Sequence, residues 1–324
     1  MCCFHPLPVW IRHVSCQKGV FMSLQAAIRY KMMLGWAWLL RILLPYGAAM
    51  SIASGTIRWF HPGLGKQKPA FMDGLDSVLA DRQLTDAAWK RHTALVGVNR
   101  FQSSYYAQPD TSWIEKCRLD IEGGELVRQC HDSGKGVMVM TYHLHLNMLF
   151  CNMMARIGLP VTTIAMDDRG NTRLPKRVEN IHAHAARLVN GGDLILVKPN
   201  NQVRPIMRAF EKNHLVISAN DFPGVFDDKN RRDFPFLNTT LSCPTGTVKY
   251  AVKKQIPVVA SYLDWLGGNH FRLVNSLVSD GTGDTTVEDV MAGYLAVLEK
   301  IVEQQPGLWE GWKWLGNNHK EIKA

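Results

Sequence analysis

From Gly134 onward the chain alternates short apolar runs with amphipathic stretches, a pattern that confines it to a layered α/β architecture. The first run, Val137-Met138-Val139-Met140, follows a Gly134-Lys135-Gly136 turn and shows no polar alternation, as expected of a strand covered on both faces. Further strands are expected at "LPVTTIAMDD", "DLILVKP", "HLVISAND", "IPVVASYLDW" and "HFRLVNSLV". Between them "LNMLFCNMMARIG", "RLPKRVENIHAHAARLVNG", "VRPIMRAFEKN" and "PTGTVKYAVKKQ" carry helical spacing, and "VEDVMAGYLAVLEKIVEQQ" forms the last long helix. The expected fold is a central, mostly parallel mixed sheet flanked by helices, with an N-terminal helical region. The expected division is an N-terminal segment, residues 1–60, and an α/β domain, residues 61–324.

Upstream of the alternation the reading is helical. Apolar residues recur at three and four spacings from Asp76 to Gln108, and Trp113 to Ser133 reads as a second amphipathic stretch. "FHPGLGKQKP", Phe60 to Pro69, reads as a Gly/Pro loop. The most apolar part of the chain is Lys31 to Gly55, interrupted by Arg41 and Pro45, so no uncharged run reaches the roughly 18 to 20 residues of a membrane span. With Lys31 and Arg41 able to snorkel and Trp36 and Trp38 suited to the headgroup level, an interfacial helix is one reading and a core helix the other. About thirty residues precede this stretch and no small-residue cleavage site follows, which argues against a signal peptide.

The formal charge of +9 suits an acidic partner such as an anionic membrane or an acidic carrier protein. No nucleic-acid-binding signature accompanies the charge, so nucleic acid is not an expected partner. The seven cysteines are scattered, without a disulfide framework or paired zinc spacing. His182 and His184 diverge on a helix surface, and Cys2, Cys3 and His5 lack a closing cluster, so no metal site is expected.

His143 and His145 end the first strand, where open α/β sheets present their ligands. A histidine there, just before a helix, feels the positive end of the helix dipole, which keeps the ring neutral and fit for general-base work. Cys151, on the following helix, is an alternative nucleophile for a hydrolase.

"GKGVMVMTYHLHLNM" resembles the glycine-led strand and His-x4-Asp/Glu motif of the lysophospholipid-acyltransferase superfamily, most nearly its bacterial lipid A biosynthesis (lauroyl/myristoyl) acyltransferase branch. His143 falls on the motif histidine. Asp221, Pro223, Gly224, Phe234, Pro235, Phe236, Pro244, Thr245, Gly246, Pro257 and Val258 follow in the family's order, and "QQPGLWEGW" is similar to its closing Pro-x-x-Trp segment. The departure is Met148, which stands at the motif's carboxylate position and can neither accept the imidazole N–H nor stabilise imidazolium.

The resemblance implies an acyl transfer from an acyl carrier protein or acyl-coenzyme A thioester to a hydroxyl or amine of a lipid-like acceptor, with His143 as base and no bound cofactor or metal. It implies peripheral or singly anchored residence on the cytoplasmic face of the bacterial inner membrane. Asp221, at the end of a strand expected beside that of His143, is the candidate to orient the ring, with Asn147 and His145 as weaker hydrogen-bonding candidates. Arg169 and Arg177 are candidates for phosphate groups of donor or acceptor. Phe236 and Thr245 are candidates on the substrate side, with core packing the competing role of the Phe234-Pro235-Phe236 patch. The alternative is a catalytically inactive relative that binds lipid or a partner protein, Met148 marking the lost chemistry.

Overall fold

The structure is a computed structural model that describes residues 24–61, 64–79, 82–106, 112–166, 193–197, 203–221 and 230–315. The helix expected at "RLPKRVENIHAHAARLVNG" lies outside these residues, as do Cys2, Cys3, Cys16, His5 and the loop positions Pro223 and Gly224.

Seven strands form one sheet in the order β1-β9-β8-β2-β5-β3-β4. They are β1 (Arg118–Glu122), β2 (Val137–Thr141), β3 (Val161–Met166), β4 (Leu194–Val197), β5 (Leu215–Ala219), β8 (Val258–Gly267) and β9 (His270–Ser279). Five neighbours from β8 to β4 run parallel, while β9 is antiparallel to β8 and carries β1 parallel at the edge. The sheet is therefore mixed and mostly parallel, with helices flanking it. Every residue of β2 is buried, which matches its unbroken apolar composition.

The chain leaves β2 through α7 (Asn147–Ala155) toward β3 on one side, and leaves β5 toward β8 on the other. Adjacent parallel strands whose connections depart in opposite directions open a crevice at their carboxyl ends. Thr141 pairs with Ala219, so the two residues beyond each, His143 and Asp221, emerge side by side from that crevice.

The outer helices are α6 (Gly124–His131), α8 (Val203–Glu211), α9 (Gly246–Lys253) and α10 (Val287–Gln304). α10 begins with a capping box: Asp289 N donates to Thr286 Oγ1 at 3.1 Å and Thr286 N donates to Asp289 Oδ2 at 2.9 Å. It buries Val290, Met291, Tyr294, Leu295, Leu298, Ile301 and Val302 along one stripe.

Two local expectations are corrected. The Gly/Pro stretch ends early, because α3 (Leu64–Asp76) begins at Leu64 and holds Pro69 inside it. The fixed φ of proline suits a helix, and its missing N–H leaves only the Gly65 carbonyl near the helix start without a donor. The stretch from Trp113 to Ser133 is not one helix: α5 (Ser112–Glu115), β1 and α6 share it, and β1 exists because it pairs with β9. A separate hairpin, β6 (Arg231–Phe236) and β7 (Thr239–Pro244), carries the Phe-Pro-Phe patch.

At the amino-terminal end α1 (Leu24–Leu43), α2 (Tyr46–Phe60) and α4 (Arg82–Tyr106) pack together. Gly97 permits the closest approach, since a Cβ there would lie 2.6 Å from the Ala53 carbonyl oxygen. Ala37, Leu40, Tyr46, Ala49, Met50 and Ala53 belong to the same hydrophobic cluster as the sheet. The opposite side of these helices exposes Ile28, Met32, Trp38, Leu39, Ile42, Leu43, Ile52 and Trp59. Among the described residues no helix is long and apolar enough to cross a membrane.

Candidate active site

The end of β2 turns sharply after Thr141, and the carboxyl-terminal segment holds it. Leu144 forms an antiparallel bridge with Trp309, and Glu310 N donates to His143 O at 3.0 Å. His143 Nδ1 lies 2.7 Å from Asp221 Oδ1, and His143 N donates to Asp221 Oδ2 at 2.8 Å. One carboxylate thus grips both the backbone and the ring of the same histidine. A carboxylate oxygen only accepts, so Nδ1 carries the proton and the basic lone pair sits on Nε2. The Asp221 side chain is fully buried, whereas 30% of the His143 side chain remains exposed. Met148, at the motif's carboxylate position, is the second residue of α7. The carboxylate against Nδ1 comes instead from the neighbouring strand.

Burial pulls the His143 pKa down, but the charge and hydrogen bond of Asp221, aided by Glu310, outweigh it and leave the ring above the ordinary imidazole value. This corrects the expectation drawn from the helix dipole alone, in which a neutral ring was favoured. The carboxylate at hydrogen-bond distance acts more strongly than partial charges at a helix end.

The two strand ends are joined by Tyr294, which Tyr142 holds in place. Tyr294 Oη donates to Thr141 O at 2.6 Å and accepts from Asn220 N at 3.3 Å, bridging the ends of β2 and β5 two residues before His143 and one before Asp221. Tyr142 stacks on Tyr294, ring centroids 4.5 Å apart, and donates its hydroxyl to Tyr294 O at 2.8 Å. Burial raises both phenols well above their usual range, so they act as fixed hydrogen-bonding groups.

His145 points away from the crevice. Its Nε2 lies 2.9 Å from His92 Nδ1 on α4, and its Nδ1 lies 3.4 Å from Glu310 Oε1. The His92–His145 contact is a ring-to-ring hydrogen bond in which one nitrogen donates and the other accepts. Burial lowers the His145 pKa to about 3 and that of His92 to about 2, which keeps both rings neutral. His145 therefore sits behind His143, linked to it through Glu310.

The remaining candidates divide. Asn147 opens α7, half-buried, and its carbonyl accepts from Cys151 Sγ at 3.5 Å. Phe236 is fully buried and packs 5.2 Å from the Trp309 ring. Thr245 is fully buried and donates its hydroxyl to Asn230 O at 2.9 Å. Arg169 and Arg177 lie outside the described residues. Burial pushes the Cys151 thiol up to about 11, leaving it protonated and a weak nucleophile. Among the described residues no cluster of His, Cys, Asp or Glu could hold a metal ion.

Trp309, His92, Glu310 and Tyr294 were not singled out as site residues from sequence. Trp309 Nε1 donates to Asp221 Oδ2 at 2.8 Å. The only prior signal was its place in the Pro-x-x-Trp segment; the others sit on helices and turns whose contacts with the site span long stretches of chain.

A search of curated proteins finds no match to this chain. Residues 99–321, however, match the family described as bacterial lipid A biosynthesis acyltransferase, a span that includes His143, Asp221 and Trp309. That span covers well over half of the sequence, and the chain belongs to the bacterial lipid A biosynthesis acyltransferase family.

Proposed function

We propose that this protein moves a fatty acyl group from an acyl thioester to a hydroxyl or amine of a lipid-like acceptor, with His143 as general base and Asp221 orienting it. The observation that carries this reading is the doubly hydrogen-bonded His143–Asp221 pair at the mouth of the β2/β5 crevice. His143 Nε2 takes the acceptor's proton as its oxygen or nitrogen attacks the thioester carbonyl, forming a tetrahedral oxyanion. The amides at the first turn of α7, which lack intrahelical acceptors, lie just downstream of His143 and are suited to that charge. The carbon–sulfur bond then breaks, and the thiolate takes the proton back from the imidazolium, which regenerates the neutral base. The same pair weighs against an inactive relative, because a chain that had abandoned catalysis has no need of a buried carboxylate on a histidine that faces solvent.

The donor is an acyl carrier protein or coenzyme A thioester, and the overall charge of +9 favours the acidic carrier protein. Residues 61–324 form the catalytic α/β unit in this reading, and residues 1–60 include a membrane-facing helical segment. Its support is the exposed apolar row on α1 and α2, which suits peripheral contact with a membrane surface; residence on the cytoplasmic face of the inner membrane belongs to the same reading. Mass spectrometry of lipids from cells carrying wild-type protein or His143→Ala tests the reaction. An acylated lipid present only with the wild type is expected, and the same product from His143→Ala would overturn the base assignment.

A further inference from the structure

Asp221 has two kinds of partner. His143 gives it a ring N–H and a backbone N–H, and Trp309 gives it an indole N–H. Oδ2 receives the donors attached to the most constrained atoms, the His143 amide and the indole, both at 2.8 Å. Two such bonds on one oxygen fix the carboxylate plane and leave Oδ1 directed at His143 Nδ1. The indole itself is fixed on every side. Its backbone is bridged to Leu144, Phe236 and Trp312 pack against its ring at 5.2 and 5.0 Å, and a Cβ on Gly311 would run into it. Trp312 is in turn tied by its Nε1 to Pro306 O at 2.6 Å. A fully buried tryptophan whose N–H ends on a charged group is an expensive arrangement to build by accident, since indole N–H groups seek any acceptor and most are neutral.

We propose that Trp309 is a positioning residue for the dyad: its indole N–H holds the Asp221 carboxylate in the plane that orients His143 and moderates how strongly that carboxylate attracts the imidazole proton. This rests on the reading of His143 as the general base. It goes beyond that reading by assigning to the closing Pro-x-x-Trp segment a direct part in tuning the base. The chemistry follows from charge distribution. Each N–H donated to a carboxylate withdraws negative charge from it, so removing one makes Asp221 a stronger partner for the imidazolium and holds His143 protonated to higher pH. The other groups that act on this pair are Glu310 and Lys313 from the carboxyl-terminal segment, Tyr142 beyond β2, Tyr294 on α10 and Cys243 on β7. None of them donates to Oδ2 among the described residues, so the indole is the group whose loss most directly changes the carboxylate.

Trp309→Phe keeps an aromatic ring against Phe236 and Trp312 and deletes the donor. In the full-length protein in lipid vesicles, the His143 ring is followed by NMR with labelled histidine, its resonance identified by its disappearance in His143→Ala. Acyl transfer is followed across pH with palmitoyl-coenzyme A and a bacterial lipid extract. Trp309→Phe is expected to raise the His143 titration midpoint, to move the acidic limb of kcat upward by the same amount, and to lower kcat about ten- to a hundred-fold with little change in KM, as for a lost hydrogen bond to a charged group. Should the phenylalanine variant misfold, replacing the indole by the isosteric benzothiophene removes the N–H without changing the shape. A merely structural role would reduce stability and leave the titration in place; an unchanged midpoint and limb in a folded variant overturns the proposal. Full transfer by His143→Ala is a separate result, which overturns the general-base reading and the catalytic part of this proposal with it.

Discussion

Asp221→Asn changes one atom type in the dyad while preserving its shape, which makes its consequences calculable. The wild-type carboxylate accepts three N–H groups, two from His143 and one from Trp309. An asparagine offers one accepting oxygen and one donating NH2. If the oxygen keeps the His143 amide and the indole, the NH2 faces Nδ1, and the ring must shift its proton to Nε2 to avoid two opposed donors. The basic lone pair then points at the protein interior instead of the acceptor. The lost charge adds to this: a unit charge about 4 Å from the imidazolium at an effective dielectric near 20 contributes about 4 kcal/mol, or roughly a thousandfold in rate. In a serine protease the analogous Asp-to-Asn change, with charge and tautomer altered together, costs about 10⁴ in kcat, so a fall of three to four decades in kcat is expected.

The pH profile supplies an independent reading. In the wild type the charge and hydrogen bond of Asp221 hold the His143 pKa above the ordinary imidazole value, so activity rises through a correspondingly raised limb. With the charge removed, burial is no longer opposed and the limb of any residual activity moves to lower pH. Transfer kinetics between pH 5 and 9, with circular dichroism and thermal melting as controls for folding, provide the assay. A folded Asp221→Asn enzyme with undiminished turnover, or a limb that stays in place, would mean that Asp221 does not orient the base.

Two further outcomes follow from the structure. His92 and His145 are neutral in the fold down to about 2 and 3 but protonate near 6.5 when unfolded, so the unfolded state binds more protons and stability falls as pH drops below 6.5. Each ring contributes about 1.4 kcal/mol per pH unit, and urea unfolding between pH 6.5 and 5 should show a shallower pH dependence in His92→Phe; identical slopes would remove this term. On the N-terminal helices, Trp38 and Leu43 are 53% and 71% exposed on the apolar row. Replacing both by glutamate should weaken flotation with anionic lipid vesicles by at least about a hundredfold, given about 1.5 to 3 kcal/mol for each buried apolar side chain. Unchanged flotation would reject these helices as the membrane contact.

The sequence revealed the sheet where each strand was apolar along its whole length and bounded by turn residues, as in β2 and β5. It concealed β1, "RLDIE", because that edge strand is exposed and charged and owes its conformation to pairing with β9, more than a hundred residues away. A similar limit applies at the site. His143 and Asp221 were legible because each ends an apolar strand, and parallel pairing in register brings equivalent strand ends together. Met148 occupies the motif's local carboxylate position, whereas the carboxylate against His143 Nδ1, Asp221, lies 78 residues further along the chain and comes from the neighbouring strand, a pairing that local spacing does not reveal. Trp309 and Glu310 reach the dyad through the packing of the carboxyl-terminal segment, and His92 on α4 reaches only His145 behind it; no periodicity or turn chemistry in their own neighbourhoods announces such contacts.

In the proposed reaction His143, held by Asp221, removes the acceptor proton during acyl transfer. The most direct measurement is reconstitution: purified protein in lipid vesicles, an acyl carrier protein thioester bearing an isotopically labelled chain, and mass spectrometry of the lipids over time, with wild type and His143→Ala compared at equal folded concentration. A labelled lipid is expected to accumulate with the wild type and not with His143→Ala. Equal accumulation in both would contradict this role of His143.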